Sequence, residues 1–282
     1  MRVLSLTLLF LSLIVLTVGS VISSSGYGLA IPDWPLALGG MVPVSMVAGI
    51  AWELSHRMLA LITGLISLVL GAMLLKTSDP LLRRLGSALM ALILVQIMLG
   101  GLGVLQEFPW LLRVLHAALA HLFVGLVAAT VAVLHPDSVA AGKVVNAQGL
   151  RRVRSFISMI LLQILAGVVV RHTETGAVML GALILHLVLA IGVTVSGFTV
   201  ALRLGTVLQG WRSGIAYAIG GGVLAQIFLG VTVLLQVPEP GSIGQPSLSY
   251  VWHAGSHVLV GAVLLAFGTA LFLRLSRDSA AG

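Results

Sequence analysis

The chain has 282 residues, 59% of them hydrophobic and 8% charged, with a mean hydropathy of +1.16. A water-soluble domain this apolar would aggregate, so the composition specifies an integral membrane protein. The formal charge of +7 is scattered in short clusters between apolar runs, which is how topology signals look and not how a nucleic-acid surface looks; the lack of cysteine excludes disulfides, thiolate metal sites and thiol catalysis.

Eight apolar runs are long enough to span a bilayer as helices. The first, Val3 to Ile22, follows Arg2 and has the positive start of a signal peptide, but its length favours a retained span. A Gly/Ser/Pro-rich loop, Ser23 to about Met46, contains SGYGLAIPDWPLALGG. The other runs are Glu53 to Leu75, Leu85 to Leu105, Arg113 to Leu134, Val153 to Val170, Val178 to Leu202, Ser213 to Leu235 and Val251 to Leu273. On this all-α scheme Arg2, Lys76, Arg83, Arg84, Lys143, Arg151, Arg152, Arg154, Arg203, Arg212, Arg274 and Arg277 fall on one side, expected to be cytoplasmic, with both termini. Arg57, Arg113 and Arg171 fall at the opposite helix ends and call for partners.

The second run opens on WELSHRMLALIT, which places Glu53, His56 and Arg57 within about one helical turn. Glu53 and His56, three apart, share a face. An ionisable group inside a bilayer costs roughly 2.5–3.5 kcal/mol even on the lenient insertion scale, so this cluster marks a candidate site. The third, fifth and seventh runs share the pattern QIxxG at Gln96–Gly100, Gln163–Gly167 and Gln226–Gly230. Gln96 and Gln226 are 130 residues apart, as are His56 and His186. The simplest account is two pseudo-symmetric four-helix halves, residues 1–135 and 151–282, joined by a cytoplasmic linker over 136–150. The glutamines are expected to bond between helices, and the groups Gly100-Gly101-Gly103 and Gly220-Gly221-Gly222 to permit close packing.

His56, His116, His121, His186, His253 and His257 all lie toward the outer ends of even-numbered helices. One imidazole from each of two facing helices is what bis-histidine ligation of haem iron needs, and two halves give two such sites. His116 and His121 are five apart, so they cannot face one iron together; His253 and His257, four apart, share a face. Matching AHLFVGL to SHVLVGA pairs His121 with His257, while counting from the helix starts pairs His116 with His253. The alternatives are core histidines that only tie helices together, or zinc, for which the second half offers few donors. Glu53 has no acidic counterpart, since Leu183 stands 130 residues on. A carboxylate beside one site suits proton handling there, whereas the apolar twin suits holding an electron.

SGxGLAxPDWPL at Ser25–Leu36, WExxHR on the second run, QIxxGxVVRHT at Gln163–Thr173 and the histidines of the even helices together resemble the heme A synthase family over nearly the whole chain. The resemblance implies a permanent haem b in the second half, heme O as substrate in the first, and oxidation of one porphyrin methyl to a formyl group through a hydroxymethyl intermediate. It implies iron ligands at His56 and His116 in the first half and at His186 and His257 in the second, with Glu53 as the essential acid. His121 and His253 remain candidates for the pocket rims, and Arg57, Arg113 and Arg171 for the haem propionates. Many bacterial relatives carry a cysteine pair in the first outer loop, where this chain has Ile31 and Ala37. Asp33, Trp34 and Pro35 of that loop are candidates to cover the first site. The expected setting is a prokaryotic plasma membrane with the haem sites facing outward, a heme O-supplying enzyme and an electron donor as partners. A di-haem b-type cytochrome that only transfers electrons is the alternative.

Overall fold

A computed structural model describes residues 1–40, 47–135, 146–173, 176–238 and 245–281. Lys143, most of the expected linker and the end of the first loop lie outside the described residues. The described chain forms α1 (Arg2–Ser25), α2 (Ala48–Leu75), α3 (Pro80–Leu105), α4 (Trp110–Leu134), α5 (Ala147–His172), α6 (Ala177–Leu204), α7 (Gly210–Gln236) and α8 (Leu248–Ala281). All eight are long and apolar enough to cross a membrane.

Each expected helix is present and begins before its apolar run; at α3 and α5 a polar cap marks the earlier start. Asp79 accepts from the Leu81 and Leu82 amides ahead of a helix whose first residue is Pro80. Asn146 accepts from the Gly149 amide, which starts α5 six residues before the apolar run at Val153. At the end of α1, Gly26 takes the left-handed conformation that closes a helix.

The helices pack as two closed rings. In one, α1 touches α2 and α4, and α3 touches α2 and α4; in the other, α5 touches α6 and α8, and α7 touches α6 and α8. The rings meet along a seam of α4 with α8, α1 with α8, and α4 with α5. Each ring has its own apolar core, around Leu8, Leu70, Leu89 and Val127 in the first and Phe156, Ile160, Ile219 and Leu271 in the second. The seam is lined by Leu16, Val124, Ala128, Ala262 and Ala266, mostly small side chains that let helix backbones approach. On α6, Ile184, Val188, Ile191 and Val195 form an exposed stripe at helical spacing, the face an apolar solvent would cover.

Alternation of the eight helices brings the start of α1, the end of α4, the start of α3 and the end of α8 to one end of the molecule. Arg2 Nε donates to the Leu134 carbonyl at 2.9 Å, and Arg277 lies 3.7 Å from Asp79. The other end carries the first loop and His56, His116, His186 and His257, while His135 stays beside Arg2.

Candidate functional site

Four of the histidines share one local construction. The His56 ring of α2 lies on Gly19 of α1, where an added Cβ would meet His56 Cε1 at 2.9 Å. His116 of α4 lies over Gly100 of α3 (3.5 Å), His186 of α6 on Gly167 of α5 (2.8 Å), and His257 of α8 on Gly230 of α7 (3.1 Å). Each of these four imidazoles is therefore seated on a glycine of the helix before it. Three of those glycines close the QIxxG pattern. Of the glycine groups expected to permit close packing, Gly220 and Gly222 face Ala201 and Leu264, whereas Gly100 seats the His116 ring.

Two of the glutamines bond to the same histidines. Gln163 Nε2 lies 3.1 Å from His186 Nε2, and His186 Nδ1 lies 3.1 Å from the Gln163 carbonyl. A carbonyl only accepts, so His186 carries its proton on Nδ1 and presents a lone pair at Nε2, the tautomer a metal ligand needs. Gln96 Nε2 donates to the His116 carbonyl at 3.1 Å. Both bonds run between helices, as expected, and the one from Gln163 also meets a histidine ring.

The rings come in twos. His186 and His257 have centroids 6.3 Å apart and planes tilted by 58°. Two imidazoles bound on opposite sides of one ion, with bonds of about 2.0 Å, place their centroids about 6 Å apart, so this pair has the spacing of a bis-histidine site. His56 and His116 occupy the corresponding glycine seats in the first ring. Nδ1 of His56, His116 and His257 is buried without a hydrogen bond. Buried ring nitrogens left without partners are costly unless a ligand or water completes them, and residues with this donor set fit haem iron. Among the described residues no three His, Asp or Glu side chains converge.

His121 and His253 each bond back to their own helix. His121 Nδ1 binds the Ala117 carbonyl at 2.8 Å, and His253 Nδ1 the Ser249 carbonyl at 2.7 Å, each one turn back on its own helix. On α4, His116 has the place that His257 has on α8, so neither pairing read from the sequence matches the packing. His116 and His257 are 141 residues apart, because the connection before α8 is longer than that before α4.

Glu53 and Arg57 form a buried ion pair at 2.5 Å that also fastens the first loop. Glu53 Oε2 accepts from the Ile31 amide at 2.9 Å; Arg57 donates to the carbonyls of Ile31, Asp33 and Leu36 at 2.7, 2.7 and 2.9 Å. Arg57 thus directs its donors to the protein backbone. Ile31 and Ala37, where relatives of the resembled family carry cysteines, are both buried in one cluster with Ile50, so packing fixes the loop there. The Trp34 ring lies against Gly101 of α3, and Asp33 accepts from the amides of Leu38 and Gly39 at 2.7 and 2.8 Å. Those amides, first Gly39 and then Leu38, hold the Asp33 carboxyl below its ordinary value.

Where the rings meet, Arg171 of α5 crosses to α1 and donates to the Ser20 carbonyl and Ser24 Oγ, each at 2.6 Å. Trp52 of α2 and Trp252 of α8 meet edge-to-face with centroids 6.4 Å apart. Arg113 stands one turn before His116, and its Nε is buried without a partner. Sequence reasoning did not single out Gly19, His172 or Thr173 as site residues. The signal for Gly19 is weak, since α1 has Val15 where α5 has Gln163. No protein-family model matches this chain, and no curated protein matches it either; the residues and their geometry carry the functional assignment.

Proposed function

We propose that this protein is a membrane oxidoreductase of the heme A synthase kind, which oxidises one methyl group of heme O to the formyl group of heme A. The observation that carries the reading is the two sets of histidines, one in each ring and each imidazole seated on a glycine, combined with a carboxylate that, among the described residues, stands beside only the first. Matching contacts within the rings, and the seam of α4 with α8, support two repeated halves related by an approximate twofold. The basic helix ends opposite the histidines support a cytoplasmic side there, with both termini, and outward-facing sites in a plasma membrane.

In the second half His186 and His257 would hold a haem b, which when bound supplies a one-electron carrier. In the first half His56 and His116 would hold the iron of the substrate. Glu53 lies one turn before His56, its carboxylate held by the Ile31 amide and Arg57, so it can take or return a proton at the mouth of that pocket without moving. The fastened loop, with Trp34 against α3, excludes water from above. A heme O supplier and an electron donor are the partners this chemistry requires.

The ion pair of Glu53 with Arg57 favours a second reading, a di-haem cytochrome in which Glu53 only anchors the loop. The deciding experiment expresses the chain in membranes with and without heme O and separates the extracted pigments by mass. Glu53→Gln keeps an acceptor for the Ile31 amide, so the first reading expects haem b retained, the loop still closed to protease, and heme A reduced at least a hundredfold. Heme O supplied in excess and never converted by the parent chain would leave the cytochrome.

A further inference from the structure

The outer end of the seam holds a set of cationic and hydroxyl groups that the histidine pairs do not use. His172, the last residue of α5, follows Arg171 directly and is near enough to Arg113 of α4 to feel its charge. Arg113 comes from α4 of the first ring, whereas Arg171, His172 and Thr173 come from the second. Arg113 Nε and Thr173 Oγ1 are both buried and without a hydrogen-bond partner, and so is Ser20 Oγ on the adjoining turn of α1. Among the described residues no carboxylate pairs with Arg113, Arg171 or His172. Arg171 is satisfied in part by Ser20 and Ser24, which fixes it across the seam.

Cationic groups brought together out of water repel one another, and orphaned donors beside them add the desolvation cost of each. Two of the orphans, a guanidinium N–H and a hydroxyl, donate to an anion, and the neighbouring imidazole can do the same. An anionic group seated there would remove both penalties at once. Its position singles out one pocket: Arg113 is one turn from His116 on the same face of α4, so an anion held by Arg113 belongs to whatever lies against His116.

We propose that Arg113, His172 and Thr173 form a carboxylate seat, assembled from both halves, that holds a propionate of the tetrapyrrole bound by the first half. The second half is then a structural part of the substrate site and not only its electron reservoir. This rests on the assignment of the first half as a porphyrin site. The same donors suit a lipid phosphate, and the test separates the two sources.

Protein purified in neutral detergent from cells making no heme O is titrated with iron protoporphyrin and, separately, with its dimethyl ester, following absorbance. The resident pigment of the second half, measured in the same spectra, reports folding. The free acid should bind the parent chain about ten- to a hundredfold more tightly than the ester, the worth of one charge-assisted bond. Arg113→Gln should bring the acid to the affinity of the ester while leaving the ester unchanged, and Arg113→Lys should recover part of the difference. His172→Asn and Thr173→Val, on the other half, should each weaken acid binding alone, and they serve if Arg113→Gln fails to fold. Equal binding of acid and ester to the parent chain would overturn the seat while leaving the porphyrin site standing. Phosphatidylglycerol retained by the parent chain in native mass spectra and lost in Arg113→Gln, with acid and ester alike, would overturn it in favour of lipid phosphate. Binding of neither porphyrin to folded protein would remove the porphyrin site and the seat together.

Discussion

At the scale of single residues, the glycine seats make a graded prediction. Alanine at position 167 would put its Cβ 2.8 Å from His186 Cε1 and 3.1 Å from Nδ1, so the ring must move off its seat. Alanine at position 100 would meet His116 at 3.5 Å, ordinary van der Waals contact. Alanine is the better helix former by about 1 kcal/mol, so neither change should cost helix. Gly167→Ala is expected to lower bound haem several-fold at unchanged circular dichroism, whereas Gly100→Ala should leave the pigment near parental levels. Equal pigment in both would mean that the seats do not position the rings. These contacts show why the histidines were legible in the sequence and their seats only half so. An imidazole in an apolar run stands out by its chemistry alone. A glycine in a membrane helix is commonplace, and its meaning depends on which neighbour faces it, which a helical period does not carry. The same gap left His116 and His121 unresolved: their angular separation was clear, but the face of α4 that meets α3 was not.

At the scale of elements, the eight helices were legible because a bilayer demands long apolar runs, and the early starts of α3 and α5 reflect the caps Asp79 and Asn146 outside those runs. The first loop was legible as a motif, but not as a structure fastened from beneath by a charged pair. Arg57→Ala would leave Glu53 buried without its partner and release the carbonyls of Ile31, Asp33 and Leu36. Breaking a buried pair from one side costs about 3–5 kcal/mol, so limited proteolysis should cut the loop in this variant and spare it in the parent. Asp33 adds a pH dependence to the same loop. Its carboxyl is held below the ordinary value by the Gly39 and Leu38 amides, so the charged form stabilises the folded turn. That contribution is complete above the unfolded value of about 4 and is lost as pH falls through the lower, folded value. Protease sensitivity of the loop should therefore stay flat from neutral pH down to about 5 and rise only at lower pH; Asp33→Asn should lose that rise. A loop that opens between pH 7 and 6 would have to be governed by another group.

At the scale of the whole molecule, the question is what joins the two rings. Contacts of α4 with α8, α1 with α8 and α4 with α5 run the length of the seam through small side chains, while Arg171 with Ser20 and Ser24, and Trp52 with Trp252, join its outer end. In a bilayer, apolar side chains gain little by leaving lipid for protein, so close packing and hydrogen bonds must supply the attraction. Each polar contact across a membrane interface is worth roughly 0.6–2 kcal/mol, which makes Arg171 a minor contributor beside the packing of Ala128, Ala262 and Ala266. A protease site placed between residues 135 and 146 would cut the chain into its halves. In mild detergent the cut protein should elute as one species. Arg171→Gln should leave most of it paired, whereas Ala262→Leu, which forces bulk into a fully buried position on α8, should separate the halves. The opposite order, with Arg171 decisive and Ala262 tolerant, would mean that the outer polar contacts hold the molecule together. Such a result would also tie assembly of the rings to the residue beside His172, because Arg171 binds Ser20 and Ser24 across the seam.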